Sequence, residues 1–390
     1  MSIPVPPRLG VTVSGGAPTI HLAAGALCAF HEQGVQFEVV ATAGAGALPG
    51  LLYVAPRNGD PEDALRRVVN LNVHDALYYM IPSNFKVFHK YGPFSQWFWQ
   101  LGQTFHRPLP ADRFRNAATR LYNDWVDLVT AAITPTTLNY RSRSVLTRIK
   151  VINDLVDWNA LRSYPGEFFL NAFSFKDRRL EQFDKNKLSP EAFYAALAMP
   201  WLYAPTEYRG VYYTEGASHD PAGLLALYGD AGPRTDKVDA VIVLDTIGPD
   251  LWTDPESVYE ALQLTIMDPI VTLSESLSAL VAMEEYKLNR GQARLPKIYR
   301  LPFDVANWDR GRLLEWSYEN ALALWEAGHR SALEFIADMT PAPGARPRGQ
   351  GRRAAGSRPA EKYRQWPGIK PQSREADFLK IFGIDVPASS

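Results

Sequence analysis

Three short stretches of the 390-residue chain carry residue types and spacings that could do chemistry. The first, VATAGAGALPG (residues 40–50), has the outline of a strand that turns sharply into a helix. Enzymes hold a nucleophile on elbows of this kind, yet the apex is Gly44, which offers no atom to attack with. The second, SGGAP (residues 14–18), is a tight glycine loop. The third, VYYTEGASHDP (residues 211–221), reads as a strand that runs into a loop with Glu215 at the junction. Glu215 is open to three readings: an acid–base group, a hydrogen-bonding anchor for the elbow, or a plain loop carboxylate. A glutamate buried against an apolar cleft would have a raised pKa. Among hydroxyls that could replace a missing serine, Ser14 and Ser218 lie in the loops. Thr42 stands two places before the apex and should point back along its strand. His219 reads as a loop histidine beside Glu215. The seven histidines show no HExxH or paired spacing, so no metal site is expected.

The elements that must position these stretches are legible from periodicity. Leu9, Val11 and Val13 alternate with Gly10 and Thr12, a strand pattern. Pro18 is placed to open a helix. Ile20, Ala24, Leu27 and Phe30 then recur at helical spacing, with Gly34 where a cap would sit. Val35, Phe37 and Val39 restore period two, and Leu48, Leu51 and Leu52 start another helix. Strand–helix–strand–helix in this space predicts parallel strands joined by right-handed crossovers. Residues 61–125 read as helical and aromatic. Residues 167–184 read as two strands about a Lys176–Asp177 turn, Ala195–Pro200 as a short helix and residues 238–246 as a buried strand. Helical patterns run over 255–289 and 309–338. The aromatic stretch from Tyr78 to Trp99 is either a core helix, the favoured reading, or an apolar cover for a pocket.

Bulk composition bounds the function classes. The chain is 46% hydrophobic with a formal net charge of −1, enough for a large core and no reason to expect nucleic acid as the main partner. Cys28 is the single cysteine, so there is no intrachain disulfide framework, and a cytoplasmic setting is expected. Leu9–His31 is uncharged, but its Ser14, Gly15, Gly16, Pro18 and His21 argue against a membrane span. Beyond Thr340 the composition turns to Pro, Gly and Arg. Residues 340–390 are therefore expected to form a disordered basic tail with a short apolar end; 346–370 read either as a segment for an acidic surface or anionic membrane or, equally, as a solvated linker that only tethers the apolar FLKIFGIDV patch.

Taken in order, the glycine loop, the elbow and EGASHDP resemble the patatin-like phospholipase family over roughly residues 8–250. The resemblance implies a three-layer α/β/α fold with a mostly parallel central sheet over residues 1–250. A helical extension would then cover 251–339. It places the family's serine nucleophile at Gly44 and its catalytic aspartate at Glu215. The loop that supplies oxyanion N–H groups falls on Gly15, Gly16 and Ala17, so Gly15, Gly16, Ala17, Gly44 and Ala45 become candidate ligand-binding positions. The implied protein is a pseudo-hydrolase that binds an acyl, lipid or other apolar ligand, or a protein partner, without a cofactor. It would be cytoplasmic or peripheral to membranes or lipid inclusions. Two alternatives stay open: altered chemistry with Glu215 as acid or base, and a structural subunit of a complex.

Overall fold

The computed structural model describes residues 8–106, 117–148, 152–228, 237–246, 296–305 and 315–339, with Ala261, Thr272 and Leu273. The chain opens as β1 (Leu9–Val13), α1 (Ile20–Glu32) and β2 (Val39–Thr42). A single 3-10 turn, Gly44–Gly46, leads into α2 (Ala47–Val54). A mainly helical insertion follows: α3 (Pro61–Arg67), α4 (Asp75–Tyr78), β3 (His89–Lys90), α5 (Ser95–Phe105), α6 (Ala117–Ile133) and β4 (Leu146–Thr147). The short helices α7 (Ile152–Leu155) and α8 (Trp158–Ser163) return the chain to the sheet. There it forms β5 (Glu167–Ser174), β6 (Arg179–Asp184), α9 (Pro190–Ala196), β7 (Thr206–Tyr208) and β8 (Val211–Glu215). Then come α10 (Leu225–Tyr228), β9 (Ala240–Leu244), β10 (Lys297–Arg300) and α11 (Tyr318–Met339).

The main sheet runs β10-β9-β1-β2-β5-β8-β7, with β6 also on β5. From β10 to β5 every pairing is parallel, while β6, β7 and β8 pair antiparallel. β1, β2 and β9 are buried along their whole length. This is why VDAVIVLDT shows so little alternation: both faces of a parallel strand are covered. On one face Val11, Val13, Val40 and Ile242 pack with Leu27 and Leu51 from the helices. On the other, Val39, Ala41 and Val243 pack with Leu224 and Leu227. The period of two in β2 thus feeds two separate cores, and the architecture is three-layer α/β/α.

α11 lies against α1. The crossing is close because glycines meet there. A Cβ on Gly25 would come within 2.8 Å of the His329 amide nitrogen, and one on Gly328 within 2.6 Å of the Leu22 carbonyl carbon. Trp325 Nε1 donates to Leu65 O at 3.0 Å, fixing α11 to α3 as well.

Some elements differ from the expected ones. The helix expected over 195–200 is α9, set further upstream. Ser189 caps it by accepting from Ala192 N at 3.2 Å, and Pro190 occupies its first turn. The capping serine and the proline beside it outweigh the apolar run as a start signal. The aromatic segment is interrupted by β3, which pairs with β4. Its helix α5 is not a core helix, since Trp97 and Phe105 are 56% and 61% exposed. The helical pattern expected over 309–338 is met by α11, and the strand β10 precedes it in the main sheet. Most of the pattern at 255–289, and the tail at 340–390, lie outside the described residues. Among the described residues no helix is long and apolar enough to cross a membrane.

Candidate active site at the elbow

Strand register explains how the elbow and Glu215 meet across 171 positions of sequence. β6 holds one edge of β5, so β2 and β8 share the other edge. Thr42, the last residue of β2, pairs with Leu170, while Glu215, the last residue of β8, pairs with Ala172. Two strand ends running toward each other along one edge must bring together the turns that follow them. Glu215 N also donates to Ala198 O at 3.1 Å, and Thr214 Oγ1 donates to the same oxygen at 2.5 Å.

The elbow is tight. Gly44 has φ +46°, a conformation that costs an L-residue about 1–2 kcal/mol. A Cβ placed on Gly44 would overlap Glu215 Oε1, and it would lie 2.9 Å from Ala217 Cβ and 3.3 Å from Glu215 Cδ. The glutamate carboxylate therefore fills the room that a side chain at position 44 would need. Gly46 is required for a different reason: a Cβ there would lie 2.6 Å from Val13 O, so the elbow could not seat against the end of β1.

The glycine loop joins the same cluster. A Cβ on Gly15 would stand 3.1 Å from Ala217 Cβ and 3.4 Å from Ala43 O. Gly15 N donates to Pro221 O at 3.1 Å, so this amide is already engaged. Gly16 (φ +114°) is partly exposed and Ala17 exposed, with Thr19 Oγ1 donating to Gly16 O at 3.1 Å. Ala45 is half-buried on the elbow itself. Gly15, Gly44 and Glu215 thus converge, with Gly16, Ala17 and Ala45 following them in the chain.

Glu215 is the titratable member of this group. Burial pushes its carboxyl up to about 7, because a charge in an apolar setting loses its hydration. The residue keeps partial access to solvent. Its carboxylate has no hydrogen-bond or ion-pair partner among the described residues. A carboxylic acid that is half ionised near neutrality is suited to take or give a proton.

Two of the candidate hydroxyls are engaged within the fold. Ser14 is fully buried, and its Oγ accepts from Thr246 N at 2.7 Å. Thr42 Oγ1 donates back to Phe169 O at 2.8 Å within the sheet. Ser218 sits in the one-turn helix after Glu215. His219 stacks on Phe173 at 3.9 Å with the rings nearly parallel, and burial lowers its pKa.

Sequence reasoning passed over Asp220. It is fully buried and accepts from Leu224 N at 3.0 Å and Leu225 N at 2.9 Å, tying the loop after Glu215 to α10. Burial pushes it up to about 6, and the amides it caps pull the other way. Its backbone carbonyl accepts from Asn171 Nδ2 at 2.8 Å. The signal was an acid directly before Pro221, ahead of an apolar helix.

A second cluster was also unreadable, because His329 lies 297 positions from Glu32. Cys28 Sγ, a Glu32 carboxylate oxygen and His329 Nε2 lie within 4.8 Å of one another. His329 Nε2 is 2.8 Å from Glu32 Oε2, and Arg66 donates to Glu32 Oε1 at 2.9 Å. The arginine already neutralises Glu32 and opposes a cation there. Burial pushes the Cys28 thiol up to about 12, away from the thiolate that metals bind. The cluster acts as a tie between α1, α3 and α11.

A cavity of about 380 Å³ lies between α2, α3, α5 and α6, lined in part by Leu52, Asn70, Lys86, Trp99 and His106. None of Gly15, Gly44 and Glu215 lines it. It therefore does not serve the elbow.

The family model described as "Patatin-like phospholipase" matches residues 11–228, more than half of the chain. No curated protein matches it in sequence. Among solved structures, the crystal structure of VipD from Legionella pneumophila is similar at 13% identity and a TM-score of 0.33, covering 83% of this chain and 67% of that one.

Proposed function

The chain belongs to the patatin-like phospholipase family, and we propose that it is a member without the family's serine chemistry. Gly44 stands at the nucleophile position and Glu215 at that of the catalytic aspartate. The protein binds an acyl chain or another apolar ligand, or a protein partner, and does not form an acyl-serine. The observation that carries this reading is steric. The Glu215 carboxylate occupies the space into which a serine side chain at position 44 would project. Glycine at one position and the longer acid at the other therefore fit each other as a pair, and reverting either one alone creates a clash or a gap. Loss of a nucleophile costs several orders of magnitude in rate.

The test is active-site labelling. The purified protein should fail to react stoichiometrically with a fluorophosphonate probe. Mass spectrometry of small molecules released on denaturation should reveal any ligand that copurifies. Labelling mapped to residues 40–48 or to Ser14 would end the proposal.

A second reading is supported by the protonation of Glu215. With no partner for its carboxylate and a pKa near 7, it would serve as general acid or base for a different reaction, and Gly44 would make room for substrate. A turnover that rises or falls through a pKa near 7, and is lost in Glu215→Gln, would favour this reading over the first.

A further inference from the structure

α5 and α6 pack on each other where Gly102 meets Thr130; a Cβ on Gly102 would stand 3.0 Å from Thr130 Cγ2. Their polar anchors turn toward the domain. Asp127 lies 2.9 Å from His106 Nε2, buried Asp124 lies 2.9 Å from Lys86 Nζ, and Arg120 sits over the Tyr318 ring. α5 contains no charged residue, and these three are the charged residues of α6. The outward faces carry no charge and are largely apolar: Trp97, Leu101 and Phe105 at four-residue spacing on α5, beside exposed Gln100 and Thr104, and Leu121, Trp125 and Ile133 on α6, all exposed. A helix pair that faces water ordinarily carries its charges on that outer face.

We propose that this two-helix face docks the protein onto the surface of an anionic lipid bilayer. Two observations choose that occupant. The first is residue type: the exposed rings of Trp97, Tyr122 and Trp125 are of the kind that settles at the headgroup level, with apolar bodies in the acyl boundary and polar tips in the interface. The second is charge. No Asp or Glu occurs from residue 76 to 111 or from 128 to 153. The loop after α6, tied to the start of α5 by Thr137 N donating to Tyr91 O at 2.9 Å, carries Arg141 over Tyr140 and Arg143 over Tyr212. Arg141 and Arg143 are the charged residues of the loop 134–145, with exposed Glu207 opposite Tyr212 across β7 and β8; a loop of this cationic character, held beside the start of α5, complements anionic headgroups. The docking needs neither turnover nor a ligand at Gly44, so it goes beyond the function proposed above.

The test is co-sedimentation of the full chain with phosphatidylcholine vesicles, with and without phosphatidylglycerol. Binding should require the anionic lipid and weaken with salt. Trp97→Ser with Trp125→Ser should reduce partitioning roughly tenfold at an unchanged melting temperature. Arg141→Ser with Arg143→Ser should remove much of the salt-sensitive part. In the unmodified protein, brominated lipids should quench tryptophan fluorescence, a readout that does not depend on the variants folding. Absence of vesicle binding would overturn the proposal. Binding that survives the tryptophan pair, as it would if the basic segment 346–370 or another surface were responsible, would also overturn it. So would a dimer in solution that the tryptophan pair abolishes and vesicles do not displace.

Discussion

At Gly44 and Glu215 one methylene decides what the site can do. Serine at position 44 must accept φ +46° and must also push against the Glu215 carboxylate. Strain of about 1–2 kcal/mol and an overlap of about 1–3 kcal/mol should make Gly44→Ser clearly less stable in a thermal melt. Glu215→Asp draws the carboxylate back by one carbon. The double variant should therefore be more stable than Gly44→Ser alone, with a coupling energy of at least about 1 kcal/mol in a double-mutant cycle. The same relief should place a hydroxyl and a carboxylate within hydrogen-bond reach, so a trace of p-nitrophenyl butyrate hydrolysis is expected only in the double variant. Additive stabilities, or brisk turnover by Gly44→Ser alone, would show that the two residues do not share that space. The pH dependence carries its own sign. The folded Glu215 pKa of about 7 lies above its unfolded value, so between about pH 4.5 and 7 the folded state holds more protons than the unfolded one. Stability then falls as pH rises through that window. Glu215→Gln should abolish this loss and gain up to about 3 kcal/mol at pH 8. Urea unfolding of both proteins at pH 5 and pH 8 measures it, and equal pH slopes would refute it.

Elements bring those residues together, and they also set what the sequence could reveal. The crossing of α1 and α11 rests on Gly25 and Gly328, each facing backbone of the other helix. Backbone cannot move aside as a side chain tip can, so Gly25→Ala or Gly328→Ala should each destabilise by roughly 2–3 kcal/mol. Alanine at exposed Gly59 (φ +74°), with nothing near its missing Cβ, should cost only about 1 kcal/mol of backbone strain. Equal losses at all three positions in chemical denaturation would remove the close-packing argument. β1, α1, β2, the elbow and the hairpin of β5 and β6 were legible because each is a local pattern: alternation, helical spacing, or a turn between apolar runs. Gly46 was legible for its small size. The contact of Glu215 with Gly44 was not derivable from spacing, since it follows from β2 and β8 sharing one edge of β5. The cluster of Cys28, Glu32 and His329 was hidden for the same reason, since long-range packing creates it; Asp220 is different, because its cap on Leu224 and Leu225 is local and its signal, an acid before Pro221, was simply passed over. The outward face of α5 was misread as core because its aromatic content was weighed without its lack of charge.

Across the whole molecule, the segment that carries the family resemblance does not contain all of the core it needs. The family match spans residues 11–228, yet β9 pairs with β1 in the centre of the sheet, and β10 covers the outer edge of β9. α11 then lies along α1, where Ala321, Trp325 and Phe335 join the same core as Leu27 and Phe30. A chain ending at residue 228 would leave one edge of β1 unpaired and that face of α1 bare. Open edges and exposed apolar faces of this kind drive association between chains. Residues 1–250 regain β9 but still lack β10 and α11. That truncation should therefore be found in aggregates, or melt without cooperativity, although it includes the elbow and Glu215. Residues 1–339, which keep α11, should remain monodisperse and melt in one transition close to that of the full chain. The comparison is made by size-exclusion chromatography and calorimetry of the two truncations. A folded, cooperative 1–250 would show that the C-terminal strand and helix are additions to a self-sufficient domain. Failure of 1–250 with success of 1–339 would show that β10 and α11 complete one folding unit, so that the positions of Gly44 and Glu215 depend on residues far beyond the motif that contains them.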